Sequence, residues 1–145
     1  MEEQGIYYFH QGTNYRSYEL LGAHFNKEYT IFRVFAPNAK IVSVVGEFNN
    51  WDTTTHVMKK ISDNGIYEIQ IFNVAEYACY QYAILTKDNR LLFKSDPYGY
   101  HCELRPAKAS KVYNLDGYQF NDENWLNQRK ERQSLSSPIN IYEVH

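Results

Sequence analysis

Between Glu28 and Ser95 the chain never holds an apolar pattern long enough to make a buried helix. It offers instead a series of short β-branched and aromatic runs, each closed by turn residues. Tyr29-Thr-Ile-Phe-Arg-Val-Phe-Ala36 stops at Pro37-Asn38, and Lys40-Ile-Val-Ser-Val-Val45 ends at Gly46. Asp63-Asn64-Gly65 separates Val57-Met-Lys-Lys-Ile61 from Ile66-Tyr-Glu-Ile-Gln-Ile-Phe72. Asn-Gly between apolar runs is a strong hairpin signal. In the second of these runs Tyr67, Ile69 and Ile71 share one face and Glu68 and Gln70 the other, the period-two pattern of a half-buried strand. Lys87-Asp-Asn-Arg90 joins Tyr80–Thr86 to Leu91–Lys94 in another hairpin, and Val112–Leu115 reads as a last strand. About seven short strands with no helix between them predict an antiparallel β-sandwich.

Helices are expected only at the periphery. Asn14 to Leu21 predicts a short turn stopped by Gly22. Asn121 to Gln133 predicts a helix, with Asp122 and Glu123 at its start and Arg129, Lys130 and Arg132 toward its end, as the helix dipole favours. Ser134-Leu-Ser-Ser-Pro138 follows as a linker. Residues 95–110 form a long stretch without periodicity, the kind that is commonly functional or interdomain. Pro138-Ile-Asn-Ile-Tyr-Glu-Val-His145 reads as a proline-started apolar strand. It is too small to stand alone, so it is expected to open a further domain.

Composition narrows the function classes. The net charge of −2 argues against nucleic acid as a partner, because phosphate binding needs a concentrated basic footprint. The acidic start Met-Glu-Glu-Gln is unlike a signal peptide, and no apolar run approaches the roughly 18 residues of a membrane span. A cytoplasmic protein without membrane contact is expected. Cys79 and Cys102 have no short-spacing motif; they could pair, but small, buried structural thiols are expected instead. The five histidines, at 10, 24, 56, 101 and 145, show no ligand spacing, so no metal or cofactor is expected. Glycosidic chemistry needs two carboxylates about 5–10 Å apart. Glu47, Asp52, Asp88 and Asp96 sit at strand ends, where acids ordinarily serve as turn and cap acceptors. No catalytic residues are predicted.

A binding site is easier to argue. Aromatic residues make up 17% of the chain, and most are expected to pack strands. Glu47-Phe-Asn-Asn-Trp-Asp52 is different, for it sets Trp51 among amides just past an apolar strand. An exposed indole stacks on the C–H face of a sugar, and neighbouring amides can both donate to and accept from its hydroxyls. The competing reading is that Trp51 caps the core.

His10-Gln-Gly-Thr-Asn-Tyr-Arg-Ser-Tyr-Glu-Leu-Leu-Gly-Ala-His24 resembles the segment that opens bacterial glycogen branching enzymes. Phe35-Ala-Pro-Asn-Ala39, Val44-Val-Gly-Glu-Phe-Asn-Asn-Trp-Asp52, Lys94-Ser-Asp-Pro-Tyr98 and Pro138–His145 follow in that family's order. The central motifs are shared with the wider family-48 carbohydrate-binding modules. The resemblance implies an immunoglobulin-like β-sandwich at 28–120, an N-terminal extension with a short helix at 1–27, and a helix and linker at 121–137. Residues 138–145 would be the first strand of a family-13 (β/α)8 barrel. That barrel would carry the acids that cleave an α-1,4 glucan and re-form the bond as an α-1,6 branch, so this chain alone would have no branching activity.

By the same resemblance the partners are α-1,4-glucan (glycogen, malto-oligosaccharide) and the parent's barrel. Trp51 matches the first aromatic platform of glycogen-binding modules. Phe93 falls where a second platform tryptophan sits, keeping a smaller ring. Gln81 replaces a sugar-bonding lysine, keeping a donor without the charge, and Asn114 matches a hydroxyl-reading asparagine. Exposure of Trp51 and Phe93 would favour a glucan-binding module. Their burial would favour an interdomain scaffold without sugar affinity.

Overall fold

A computed structural model describes residues 2–145. The chain divides into two units, one ending at Asn114 and the other running from Leu115 to His145. The first unit is an immunoglobulin-like antiparallel β-sandwich. Its first sheet takes β1 (Gly22–Phe25), β2 (Tyr29–Phe35), β4 (Lys59–Lys60) and β5 (Ile66–Phe72) in the order β1-β2-β5-β4. The second takes β3 (Ala39–Gly46), β6 (Cys79–Thr86), β8 (His101–Cys102) and β9 (Ser110–Lys111) in the order β3-β6-β9-β8. β7 (Leu91–Lys94) pairs with the far half of β6.

The alternation read from sequence decides which side chains meet between the sheets. Phe32 and Val34 of β2, Tyr67 and Ile71 of β5, Val42 and Val44 of β3, and Tyr80 and Tyr82 of β6 form one buried cluster. Ile69 packs against it, as the period-two pattern requires. On the other side of the first sheet Arg33 and Glu68 stand directly opposite each other and pair at 2.5 Å.

Turns fall where expected, with one difference. The hairpin before β5 closes through Ser62–Gly65, with Gly65 N–H on Ser62 O at 3.0 Å. Only Gly65 of that turn has positive φ, +100°, so this is not the two-residue turn that Asn-Gly commonly makes. A Cβ on Gly65 would also run into the Pro37 backbone. The run Val57–Ile61 does not form one strand. Val57 bridges Ser43 of the second sheet, and Lys59 and Lys60 pair with β5 of the first. The last strand, expected at Val112–Leu115, is Ser110–Lys111, although Val112 is buried and still donates to Ala78 O at 3.0 Å.

Within the N-terminal extension, α1 (Glu2–His10) lies ahead of the Asn14–Leu21 segment where the helical turn was expected. Ile6 and Phe9, one turn apart, pack on a small cluster of Leu20, Leu21 and Ile66. Nine residues are too few for a periodicity to declare itself against three adjacent aromatic positions. A short 3-10 turn at Ser17–Glu19 stands where Asn14–Leu21 predicted one.

In the second unit α2 (Glu123–Arg132) lies within the predicted helix, with Glu123 at its start and Arg129, Lys130 and Arg132 in its last turn. Residues 138–145, expected as a strand, carry no β-pairing, and Ile139, Ile141, Tyr142 and Val144 are exposed. A strand is defined by its partner, and these residues have none among the described residues.

Candidate functional site

β3 leaves the core at Gly46, where the chain turns so tightly that a Cβ would strike the Cys79 carbonyl and lie 2.7 Å from the Phe48 ring. A 3-10 turn, Glu47–Asn49, follows. Asn50 and Trp51 then take consecutive left-handed conformations, φ 51° and 61°. Asparagine tolerates that region; tryptophan adopts it only when its surroundings hold it there. The holding groups are visible. Trp51 N–H donates to Gly46 O at 3.0 Å. The Asn49 side chain accepts from Gly46 N–H at 2.9 Å and donates to Val44 O at 3.0 Å and His56 Nδ1 at 2.9 Å. Asp52 closes the next turn by accepting from the Thr54 N–H and hydroxyl, both at 2.7 Å.

So presented, Trp51 lines a shallow cavity of about 550 Å³ together with Gln81, Phe93, Lys94, Glu103 and Lys108. Strand register explains the grouping. Gln81 lies opposite Val45, and Phe93 opposite Ala83, while Tyr80 and Tyr82 point inward. Gln81 and Phe93 therefore project from the outer face of the second sheet. Trp51 is 40% exposed and Phe93 49%, so neither ring is a core residue. The cavity brings together three of the four residues singled out from sequence. Asn114 is not among its lining residues; its backbone N–H donates to Glu76 Oε1 at 3.1 Å. Lys94, Glu103 and Lys108 escaped the sequence reading, although two of them fall in the aperiodic stretch at 95–110 that had marked itself as unusual.

The acids considered for catalysis each have another task. Glu47 accepts the Cys79 N–H at 3.0 Å. Asp52 is held below the usual carboxylate range by the Thr54 hydroxyl and N–H. Asp88 is lowered by Thr86 and Arg90 in the β6–β7 turn. Asp96 is buried, and its Oδ2 accepts from Tyr80 at 2.7 Å and Tyr82 at 3.0 Å. Burial raises the Asp96 carboxyl against the lowering effect of those hydrogen bonds. Among the described residues no group of three or more His, Cys, Asp or Glu is placed to hold a metal. Among the same residues no helix is long and apolar enough to cross a membrane. Neither cysteine forms a disulfide; Cys79 is buried as expected, but Cys102, on the short strand β8, is exposed and is not a buried structural thiol.

Two half-exposed rings lining one shallow cavity with an amide and charged groups suit an uncharged ligand with apolar faces and many hydroxyls. A β-sandwich carrying such a face is of the carbohydrate-binding module class. The sequence profile of Carbohydrate-binding module 48 (Isoamylase N-terminal domain) matches residues 20–99, and the chain belongs to that family. It is 44% identical to the 1,4-alpha-glucan branching enzyme of Geobacillus stearothermophilus over 97% of its own length and 22% of that protein's. For the Synechocystis enzyme of the same name the values are 41%, 97% and 19%. The chain thus spans about a fifth of the length of these relatives. Among solved structures, the pullulanase of Bacillus acidopullulyticus superposes with a TM-score of 0.56 at 28% identity, over 66% of this chain and 12% of that one. Klebsiella pneumoniae pullulanase complexed with maltotriose superposes with the same score at 25% identity, over 74% and 11%.

Proposed function

We propose that this chain is the glucan-binding module of a 1,4-alpha-glucan branching enzyme acting in cytoplasmic glycogen synthesis. Trp51 and Phe93 stack on glucose rings, and Gln81 and Asn114 read hydroxyls. Residues 28–120 form the module and 1–27 extend it. Residues 121–137 lead to a catalytic barrel that 138–145 would open with its first strand. The module contributes binding and positioning, and bond-breaking belongs to the barrel. The observation that carries this reading is the exposure of Trp51 and Phe93 over one cavity with Gln81. Pairing with the barrel would satisfy the strand edge of 138–145, and likeness to a pullulanase complexed with maltotriose supports an α-glucan as the ligand.

A shallow face buries less of its ligand than a pocket does, so affinity is expected on the order of 10 μM to 1 mM. Calorimetric titration of malto-oligosaccharide tests this. Trp51→Ala should abolish detectable binding with the far-ultraviolet dichroism unchanged, and Phe93→Trp should tighten it. Unfolding of Trp51→Ala would show that Trp51 serves the fold rather than a ligand and would make the module a scaffold.

A further inference from the structure

The outer face of the second sheet continues past the Trp51 cavity. Among the described residues only five other than glycine have positive φ. Three are asparagines; the two bulky ones are Trp51 and Tyr77, the latter at φ 67°. Tyr77 is fixed by its N–H on Val112 O at 2.7 Å, and its ring is 53% exposed. Strain kept at two aromatic residues, each with its ring toward solvent, marks both as presented rather than packed.

The Tyr77 ring joins a cluster. Its centroid lies 5.8 Å from that of His101 and 5.7 Å from that of Tyr113, and these two are 5.5 Å apart. Register ties this cluster to the cavity. His101 stands opposite Lys111, and Lys111 opposite Cys79, which shares a face with Gln81. Glu103, two residues beyond His101 on that face, lines the Trp51 cavity. From Ala83, opposite Phe93, back to Cys79 is four residues along β6, a span of about 13 Å, and Tyr77 lies beyond that in the turn leading into the strand. Asn114, which lies outside the cavity, follows Tyr113 directly, and Glu76 supplies an acceptor beside it.

Resting on the reading that the Trp51 cavity binds α-glucan, we propose that Tyr77, His101 and Tyr113 form a second aromatic contact for the same chain. The face then holds a run of several glucose units, with Asn114 serving the far contact rather than the near one. The contact selects for length: a short oligosaccharide reaches Trp51 and Phe93 only, and a longer one engages both ends.

Calorimetry with maltotriose and maltoheptaose tests this. The native chain should bind maltoheptaose roughly tenfold more tightly than maltotriose. Tyr77→Asn, which keeps a residue at ease in left-handed backbone, and Tyr113→Ala should each remove most of that gain while leaving maltotriose affinity unchanged. In amide spectra of the native chain, residues 77, 101 and 113 should shift with maltoheptaose and not with maltotriose. Equal affinity for the two sugars, or a gain that survives both substitutions, overturns the second contact. Failure of the native chain to bind maltotriose overturns the Trp51 reading itself.

Discussion

Asn49 Nδ2 donates to His56 Nδ1 at 2.9 Å, tying the loop that carries Trp51 back onto itself. With its other bonds to Gly46 and Val44, one amide joins both ends of the loop without lining the cavity. Asn49→Ala should therefore weaken glucan binding by about 1–2 kcal/mol through loss of loop order, and the thermal midpoint should fall modestly. Asn49→Asp keeps the acceptor for Gly46 and should lie between the two. Unchanged affinity in Asn49→Ala would show that Trp51 does not depend on this support.

Thr30 is fully buried on β2, and its hydroxyl has no hydrogen-bond partner. An unsatisfied buried hydroxyl is a net cost, and valine keeps nearly the same shape. Thr30→Val should stabilise the fold by about 1 kcal/mol, raising Tm by a few degrees. Differential scanning calorimetry measures it, and a lower Tm would mean that the hydroxyl is satisfied in solution.

Tyr80 and Tyr82 both donate to Asp96 inside the sandwich. Burial first, and the adjacent Asp96 carboxyl second, push both phenols well above their ordinary value. In the unfolded chain each ionises near pH 10. The native state thus holds protons that the unfolded state loses, and their contribution to stability is intact below about pH 10 and falls as pH rises beyond it. Urea midpoints should decline above that pH, and tyrosinate absorbance from these two rings should appear only with unfolding.

Burial, reinforced by Glu47 and Glu103, raises the Cys79 thiol to about 11, whereas Cys102 is exposed. A thiol reagent near neutral pH should label one cysteine per native chain quickly and the second only in denaturant. Rapid labelling of both would place Cys79 at the surface.

The sandwich was legible because its signals are local. Alternation in Tyr67–Ile71 and the turn residues at Pro37-Asn38 and Lys87–Arg90 each act within a few positions. The Trp51 loop was legible for the same reason, since aromatic, amide and turn chemistry sit together in six residues. Gln81 and Phe93 came from resemblance, and strand register is what brings them to one face. The Tyr77–His101–Tyr113 cluster could not be read in advance, because its members lie on separate segments whose pairing is set by β6 and β9. Residues 138–145 look like a strand in composition, but composition does not supply a partner.

The crossing of Val57 to Lys60 from one sheet to the other has a mechanical consequence. The segment following the Trp51 loop is stitched into both layers, so the layers cannot slide or peel apart without tearing the loop's own anchor. A pull transmitted through a bound glucan chain would load the whole sandwich at once rather than unzip a single hairpin.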